Sequence, residues 1–329
     1  MQSAKRNGIG RRTLLLAGAA TAGAGLLSVG PARSAEKFKI LHTTSPPDPA
    51  FHYYYYALEN GFYRKHGLDV EIKALQAEST NMRALLAGEG DIGAALGAPP
   101  PLRAADAGAQ LKCIGSYTLK LDYLIVGDKG IPDLKALEGR SFAIAQVNTL
   151  SQLVPSLMIK RAGGDPSKVK WVSVGNSAAR LQAAIANRVD AAIVNAALTT
   201  KAAAYQRLYT LGSAADSLPD FLYTWDVTTA ELYRKKPAAF AAYAAATSEG
   251  IRWAMANRDK ALAISKRVLP DVPEPEVEAA INEFMVKNFW NASGTVPKRV
   301  WEYTTKTLLD AGQINAIPNV DEFLVGRAS

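Results

Sequence analysis

The chain has 329 residues, 48% of them hydrophobic and 21% charged, with a formal net charge of +8. This length allows two domains, and the ordinary globular composition excludes collagen, a coiled coil and bulk disorder. The single cysteine, Cys113, excludes an intramolecular disulfide framework and a zinc site built from several thiolates.

The positive charge is concentrated at the N-terminus. Five basic residues and no acidic residue lie within residues 1–34, so the rest of the chain carries a charge of only +3. The net charge is therefore weak evidence for nucleic-acid binding, and we predict no nucleic-acid partner.

The N-terminal segment has the three-part layout of an export signal. A basic stretch containing Arg11-Arg12 precedes an apolar run of 17 residues, and small residues follow it. Paired arginines are typical of the twin-arginine route. We predict a signal at 1–35, cleaved near Ser34 or Ala35, and export to a Gram-negative periplasm. A membrane anchor is the alternative, but the apolar run is shorter than the ~20 residues that span a bilayer.

The rest of the chain alternates between strand-like and helix-like segments. Strands are predicted at 38–43, 68–73, 91–96, 111–118, 122–128, 140–146, 169–175, 190–194 and 221–227. Helical patterns fill most of the intervals, and from residue 237 onward the pattern is almost purely helical. This alternation predicts an α/β fold with largely parallel sheets flanked by helices, followed by a helical C-terminal tail.

The chain also contains an internal repeat. The segment that starts at Val70 matches the segment that starts at Val169 without a gap, an offset of 99 residues. Each copy reads as a strand, a small polar loop, a capped helix and a second strand that begins at Asp91 or Asp190. Any two strand–helix units share apolar positions, so generic similarity is the alternative. The ungapped register favours two lobes of similar build.

Several segments, taken together, resemble a known family. They are YYYYALENGFYRKHGLDVEI (53–72), AGEGDIG (87–93), LKALEGRSFAI (134–144), DPSKVKWVSVG (165–175) and ANRVDAAIV (186–194). In their order and spacing they are similar to the periplasmic substrate-binding proteins of ABC importers, in the nitrate/sulfonate/taurine and NMT1/THI5-like group.

The resemblance implies a two-lobed, type II periplasmic-binding-protein-like fold in which each lobe is a mostly parallel sheet flanked by helices. The first lobe would hold 36–126 plus 228–329, and the second 129–225. The hinge would lie near 123–128 and 225–228.

The function implied by the resemblance is delivery of a small-molecule ligand to an ABC transporter permease with its cytoplasmic ATPase. We expect a monomer with no cofactor, no metal and no catalytic activity. A sensor that presents bound ligand to a membrane receptor would share the same fold and stays open. Enzymes of thiamine pyrimidine synthesis share it too, but they carry a cysteine-rich iron motif that one cysteine cannot supply.

Candidate ligand-binding residues follow from where such folds bind ligands. In open α/β sheets, ligands lie at the carboxyl ends of strands beside helix N-termini. Four predicted loops there are rich in Ser, Thr and Asn, although these side chains also cap helices. With nearby aromatic and acidic residues, they give this set: Ser45, Phe51, His52, Ser79, Thr80, Tyr123, Asn148, Thr149, Ser151, Asn176, Asn195, Trp225 and Asp226.

The composition of these loops also bears on the ligand. Because the loops are poor in Lys and Arg, we expect a small organic molecule with a planar or apolar part and at most one anionic group. A sulfonate, a carboxylate or a pyrimidine-like heterocycle fits this description. Arg180 lies in the first turn of a predicted helix and is interpreted as a solvated surface residue, with pairing to an acidic ligand as the alternative. Trp225 is equally compatible with a place in the core.

Overall fold

The computed structural model describes residues 35–43, 47–198, 202 and 207–325, in which two five-stranded sheets are each flanked by helices. The predicted export signal with Ser34, and the candidate Ser45, lie outside the described residues. The strands are β1 (Glu36–Thr43), β2 (Leu68–Leu75), β3 (Ile92–Gly97), β4 (Leu111–Gly115), β5 (Tyr123–Asp128), β6 (Ser141–Ile144), β7 (Lys170–Ser173), β8 (Ala191–Asn195), β9 (Leu208–Ser213) and β10 (Thr224–Thr229).

Both sheets are mixed and share one plan. The first has the order β2-β1-β3-β10-β4, with β1 parallel to β2 and β3, and β10 antiparallel to its two neighbours. The second has the order β7-β6-β8-β5-β9, with β6 parallel to β7 and β8, and β5 antiparallel to its two neighbours. In each sheet, four strands therefore run in one direction and a single inserted strand, β10 or β5, runs in the other.

Helices cover the faces of both sheets. Those described are α1 (Tyr53–Glu59), α2 (Phe62–Lys65), α3 (Glu78–Leu86), α4 (Pro99–Asp106), α5 (Leu150–Arg161), α6 (Ser177–Ile185), α7 (Ala214–Ser217), α8 (Ala230–Lys235), α9 (Pro237–Ala256), α10 (Arg258–Val268), α11 (Glu274–Val286), α12 (Lys298–Asp310) and α13 (Val320–Phe323). The helices after β10 form the predicted C-terminal helical tail, and α9 packs along α1. Within the described residues, no helix is both long enough and apolar enough to cross a membrane.

The predicted internal repeat is visible in the backbone. Helices α3 and α6 have the same length and lie at the predicted offset. Asp91 Oδ2 accepts a hydrogen bond from Lys39 N on β1 at 2.7 Å, and Asp190 Oδ2 accepts one from Ser141 N on β6 at 2.8 Å. Each aspartate thus fixes the start of its strand against the neighbouring parallel strand in the same way.

The chain passes between the sheets earlier than the resemblance implies. The whole of β5 belongs to the second sheet and the whole of β10 to the first, so 123–128 and 225–228 are sheet strands. The crossings precede them, at 116–122 and 218–223. These two segments run side by side, and Tyr223 N donates to Leu119 O at 2.8 Å.

Candidate functional site

Charged and aromatic side chains from both lobes meet beside the two crossings. We call Asp48, Asp122, Tyr123, Arg180 and Tyr223 the interlobe cluster. Asp48 follows β1, Arg180 lies in the first turn of α6, and the other three lie at the ends of the crossings. The charge of Arg180 lowers the pKa values of both aspartates, although burial has the larger, opposite effect on each. The cluster therefore lies at the strand ends where an α/β fold binds its ligand.

Arg180 is a buried residue, which corrects its interpretation as a solvated one. Its side chain is 3% exposed, and burial lowers its pKa. Nε donates to Ile193 O and Nη1 donates to Gly175 O, each at 2.6 Å. These two carbonyls hold the guanidinium in place, so a positive charge is present in a part of the site that was expected to contain none.

The internal repeat explains how Arg180 reaches this place. Its counterpart in the first lobe is Asn81, whose Nδ2 donates to Leu41 O at 2.7 Å and to Thr43 Oγ1 at 2.8 Å. Both side chains extend from the first half of equivalent helices to the adjacent sheet. In the second lobe the longer arginine side chain brings a permanent charge to this position, where the first lobe has a neutral amide.

Asp122 is the most deeply buried carboxylate of the cluster. It is 1% exposed, and Oδ2 accepts a hydrogen bond from Asn195 Nδ2 at 2.8 Å. Among the described residues, Oδ1 has no hydrogen-bond partner. The Tyr223 hydroxyl is close enough to act on the pKa of Asp122, yet no hydrogen bond of normal geometry joins them. Burial, followed by the charge of Asp48, raises the pKa of Asp122 to about 7.

Aromatic rings form a continuous surface beside these charges. The ring centroids of Phe51 and Tyr223 are 5.9 Å apart, and those of Tyr223 and Tyr123 are 5.4 Å apart in an edge-to-face arrangement. Phe51 belongs to the first lobe and Tyr123 to the second, with Tyr223 on the crossing between them. A planar or apolar part of a ligand would find contact area here.

The lobes also touch between α4 and the loop that precedes α5. Arg103 Nη2 on α4 donates to Asn148 O at 2.8 Å, and a Cβ atom added at Gly97 would lie only 2.7 Å from Leu150 Cδ1. Glu78 Oε1 accepts a hydrogen bond from Gly97 N at 2.9 Å. Burial raises the pKa of Glu78, while this hydrogen bond and the charge of Arg103 lower it.

The predicted residues of the α5 loop lie together at this contact. Thr149 Oγ1 and Ser151 Oγ are 2.7 Å apart, and Ser151 Oγ accepts a hydrogen bond from Ala145 N at 2.9 Å. Asn148 has a left-handed backbone with φ of 60° and, with Thr149, lines a groove of about 310 Å³ between α5 and residues 311–313. The hydroxyls of Thr149 and Ser151 thus hold the backbone of the loop in place.

Of the other candidates, three lie on helix starts outside the interlobe cluster. Asn176 caps α6, because its Oδ1 accepts from Ala179 N at 2.9 Å. Ser79 is exposed, and Thr80 Oγ1 accepts from Arg83 Nη2 at 3.4 Å. Helix α3 begins after Ala77, without a side-chain cap.

Three further candidates lie within the core of the first lobe. His52 is fully buried, with Nδ1 2.9 Å from Ser265 Oγ. Trp225 is fully buried, and its ring centroid is 5.3 Å from that of Phe323. Asp226 is 1% exposed and accepts hydrogen bonds from tyrosine hydroxyls. Because all three side chains pack inside the first lobe, we leave them out of the proposed site.

Phe51, Tyr123 and Asn195 are the predicted residues that lie in or against the interlobe cluster. Sequence reasoning did not select its charged members. Asp48 lies between two prolines, three residues after the candidate Ser45, and Asp122 is the first residue of the predicted strand 122–128. The positions of Asp48 and Asp122 in the sequence could have identified them as candidate site residues. The burial of Arg180 could not be predicted in this way, because it depends on how α6 packs. In the described part of the chain, no group of three or more His, Cys, Asp or Glu residues could hold a metal ion.

Comparison with known proteins gives a family-model match over more than half of the chain. The family model described as NMT1/THI5 like matches residues 48–261. A comparison with curated protein sequences found no match.

Solved structures share the fold at low sequence identity. The periplasmic aliphatic sulphonate binding protein SsuA from Escherichia coli has a TM-score of 0.70 at 17% identity, covering 87% of this chain and 96% of that one. SsuA from Xanthomonas axonopodis pv. citri, bound to MOPS, gives 0.67 at 15%, covering 86% and 94%. The periplasmic nitrate-binding protein NrtA from Synechocystis PCC 6803 gives 0.65 at 14%, covering 88% and 84%.

Proposed function

The chain belongs to the NMT1/THI5-like family, and on this basis we propose that it is an exported solute-binding protein. It captures a small organic ligand between its lobes and delivers it to the membrane permease of an ABC importer, which a cytoplasmic ATPase drives. The fold neighbours that bind sulfonate and nitrate support this role. The predicted twin-arginine signal at 1–35 supports a periplasmic location.

The observation that carries the proposal is the interlobe cluster. It joins an anchored guanidinium, two carboxylates and an aromatic surface where both lobes contribute. Charged and aromatic groups of this kind can hold a ligand reversibly. We expect no catalytic activity, because the family resemblance implies none. A ligand that touches both lobes would couple its binding to their closure. A sulfonate, a carboxylate or a pyrimidine-like heterocycle remains the proposed ligand class.

A thermal-shift screen of the mature protein across sulfonates, carboxylates, pyrimidines and inorganic anions tests this function. A binder at 100 times its Kd stabilises the protein by about 2.7 kcal/mol. We expect Arg180→Gln to lose this response and Arg188→Gln to keep it, because Arg188 is exposed on the same lobe. If no compound stabilises the protein, or if both variants respond like the wild type, the proposed site is wrong.

Export is tested separately with the full chain. We expect mass spectrometry of the periplasmic fraction to find a mature N-terminus near Ser34 or Ala35. Replacement of Arg11 and Arg12 by lysine removes the signal of the twin-arginine route and should leave the precursor in the cytoplasm. Unimpaired export of that double variant would contradict a twin-arginine signal.

A further inference from the structure

We propose that the interlobe cluster selects ligands carrying a protonated amino group, which donates to Asp122 while an acceptor or anionic group of the same ligand faces Arg180. This inference rests on the proposed solute-binding function and narrows its ligand class. The expected ligand is therefore a small sulfonate, carboxylate or heterocycle that also carries an amino group.

The first argument is the unpaired oxygen of Asp122. A buried carboxylate oxygen without a donor costs free energy, because water no longer solvates it. Asp122 Oδ1 has no partner in the described part of the chain, whereas Oδ2 is paired with Asn195. A ligand N–H group in the site would supply the missing donor, and a charged N–H donor forms the stronger hydrogen bond.

The second argument is the balance of charge. When all are ionised, Asp48 and Asp122 oppose the single positive charge of Arg180, so these three groups carry a net negative charge. A ligand that offers only an anionic group would add a further negative charge beside two carboxylates. A ligand with an additional ammonium group avoids that repulsion and satisfies Arg180 and Asp122 together.

The third argument is position. Asp122 and Tyr123 are adjacent in the chain, and Tyr123 lies directly opposite Asn195 in the second sheet. An amino group bound at Asp122 therefore lies beside the Phe51–Tyr223–Tyr123 surface, where the planar or apolar part of the same molecule can pack. The faces of these rings also favour a nearby cation.

Ionisation of Asp122 gives the proposal a pH signature. Burial has the largest effect on the pKa of Asp122 and raises it, as does the charge of Asp48. Asn195, Tyr223 and Arg180 lower the same pKa. With a pKa of about 7, Asp122 is largely protonated at pH 6 and largely ionised at pH 8. Affinity for an ammonium group therefore rises across this interval, and binding at pH 6 releases a proton.

The experiment compares matched ligand pairs by isothermal titration calorimetry at pH 6 and pH 8. The pairs are taurine and ethanesulfonate, 4-(aminomethyl)benzoate and 4-methylbenzoate, and 4-(aminomethyl)pyrimidine and 4-methylpyrimidine. We expect the amino member of at least one pair to bind at least tenfold more tightly at pH 8. Asp122→Asn should remove that preference, and Asp259→Asn, on the exposed surface, should keep it.

A second measurement needs no variant. Titration of the wild type at pH 6, in buffers of different ionisation enthalpy, should show proton release with the amino ligand. The inference is overturned if the amino-free member binds as tightly in every pair that binds, or if no proton is released. In those cases the solute-binding function still stands. If neither these pairs nor the wider thermal-shift screen yields any ligand, the function and the inference fail together.

Discussion

Asp226 shows how a polar residue near a predicted ligand site can serve the core instead. Its carboxylate accepts hydrogen bonds from Tyr54 at 2.6 Å, from Tyr243 at 2.5 Å and from Ala95 N at 2.9 Å. Ala95 has a positive φ of 54°, and β10 shifts register near Asp226 in its pairing with both β3 and β4. The carboxylate thus fixes an irregular backbone under helices α1 and α9.

We therefore expect Asp226→Ala to destabilise the protein strongly. The change leaves two buried hydroxyls and one backbone N–H without an acceptor, which costs about 3 to 5 kcal/mol in free energy of unfolding. Tyr54→Phe removes one donor and keeps the other two bonds, so it should cost about 1 kcal/mol. Urea denaturation of both variants measures the difference. Equal losses would show that the network is not centred on the carboxylate.

The pH dependence of stability follows from the same residue. Burial raises the pKa of Asp226 to about 6, against three hydrogen bonds that lower it. The unfolded carboxyl ionises near pH 4, so the native state holds a proton that the unfolded chain releases between about pH 4 and pH 6. This contribution to stability is full below pH 4 and is lost as the pH rises through that window.

Asp226→Asn should therefore lose less stability than the wild type between pH 4 and pH 6, by an amount on the order of 3 kcal/mol. Denaturation midpoints at several pH values measure the two slopes. Other carboxyls titrate identically in both proteins, so they cancel in the comparison. Parallel slopes would mean that Asp226 ionises normally in the folded protein.

At the scale of elements, the repeat was the most productive feature of the sequence. Helices α3 and α6 and the strands beside them occur at the predicted offset, because the apolar spacing and the leading aspartates are local signals. Strand β9 was not predicted. It lies at the edge of the second sheet and is only partly buried, so its sequence lacks a clear apolar face.

The C-terminal ends of α3 and α6 are also equivalent positions of the repeat. Gly88 and Asn187 follow α3 and α6 at the same offset, and both are left-handed, with φ of 76° and 56°. The next residue donates in each case to a carbonyl five residues earlier, Glu89 N to Ala84 O and Arg188 N to Ala183 O, both at 2.9 Å. This is the hydrogen bond expected where a helix ends on a left-handed residue.

We expect Gly88→Ala to cost about 1 kcal/mol, because a Cβ at that position is strained although it meets no neighbour within 4 Å. Gly88→Asn should cost less, since asparagine tolerates this backbone and occupies the equivalent position in the second lobe. Thermal denaturation of the two variants provides the comparison. A larger loss for asparagine would contradict the equivalence of the two helix ends.

At the scale of the whole molecule, the order of elements predicted two lobes, but it could not locate their connections. The crossings lie just before β5 and β10, and their place depends on which sheet accepts each antiparallel strand. The sheet that β5 or β10 joins is determined by pairing between strands that are far apart in the sequence, and no local sequence pattern indicates it. The same dependence on packing places Trp225 and Asp226 in the core and brings Arg180 to the interlobe cluster.

The final prediction concerns closure of the lobes. In this structure they meet through Arg103 and Asn148, through Gly97 and Leu150, and through the packing of Ala196–Leu198 against α11. We expect the paired crossings beside the site to act as the hinge, since they carry the chain from one lobe to the other. A ligand that binds both lobes favours the closed state only by its difference in affinity for the two states.

We expect the tightest ligand from the screen to reduce the radius of gyration of the mature protein in small-angle X-ray scattering. Arg103→Gln removes the charge that links α4 to the α5 loop, so it should weaken ligand affinity about three- to tenfold, mainly through faster release. Arg83→Gln is the matched control, because Arg83 is an exposed residue of the same lobe that donates to Thr80 on its own helix. An unchanged scattering profile with saturating ligand would contradict a closing hinge. Equal release rates for the two variants would show that the contact between α4 and the α5 loop forms independently of the ligand.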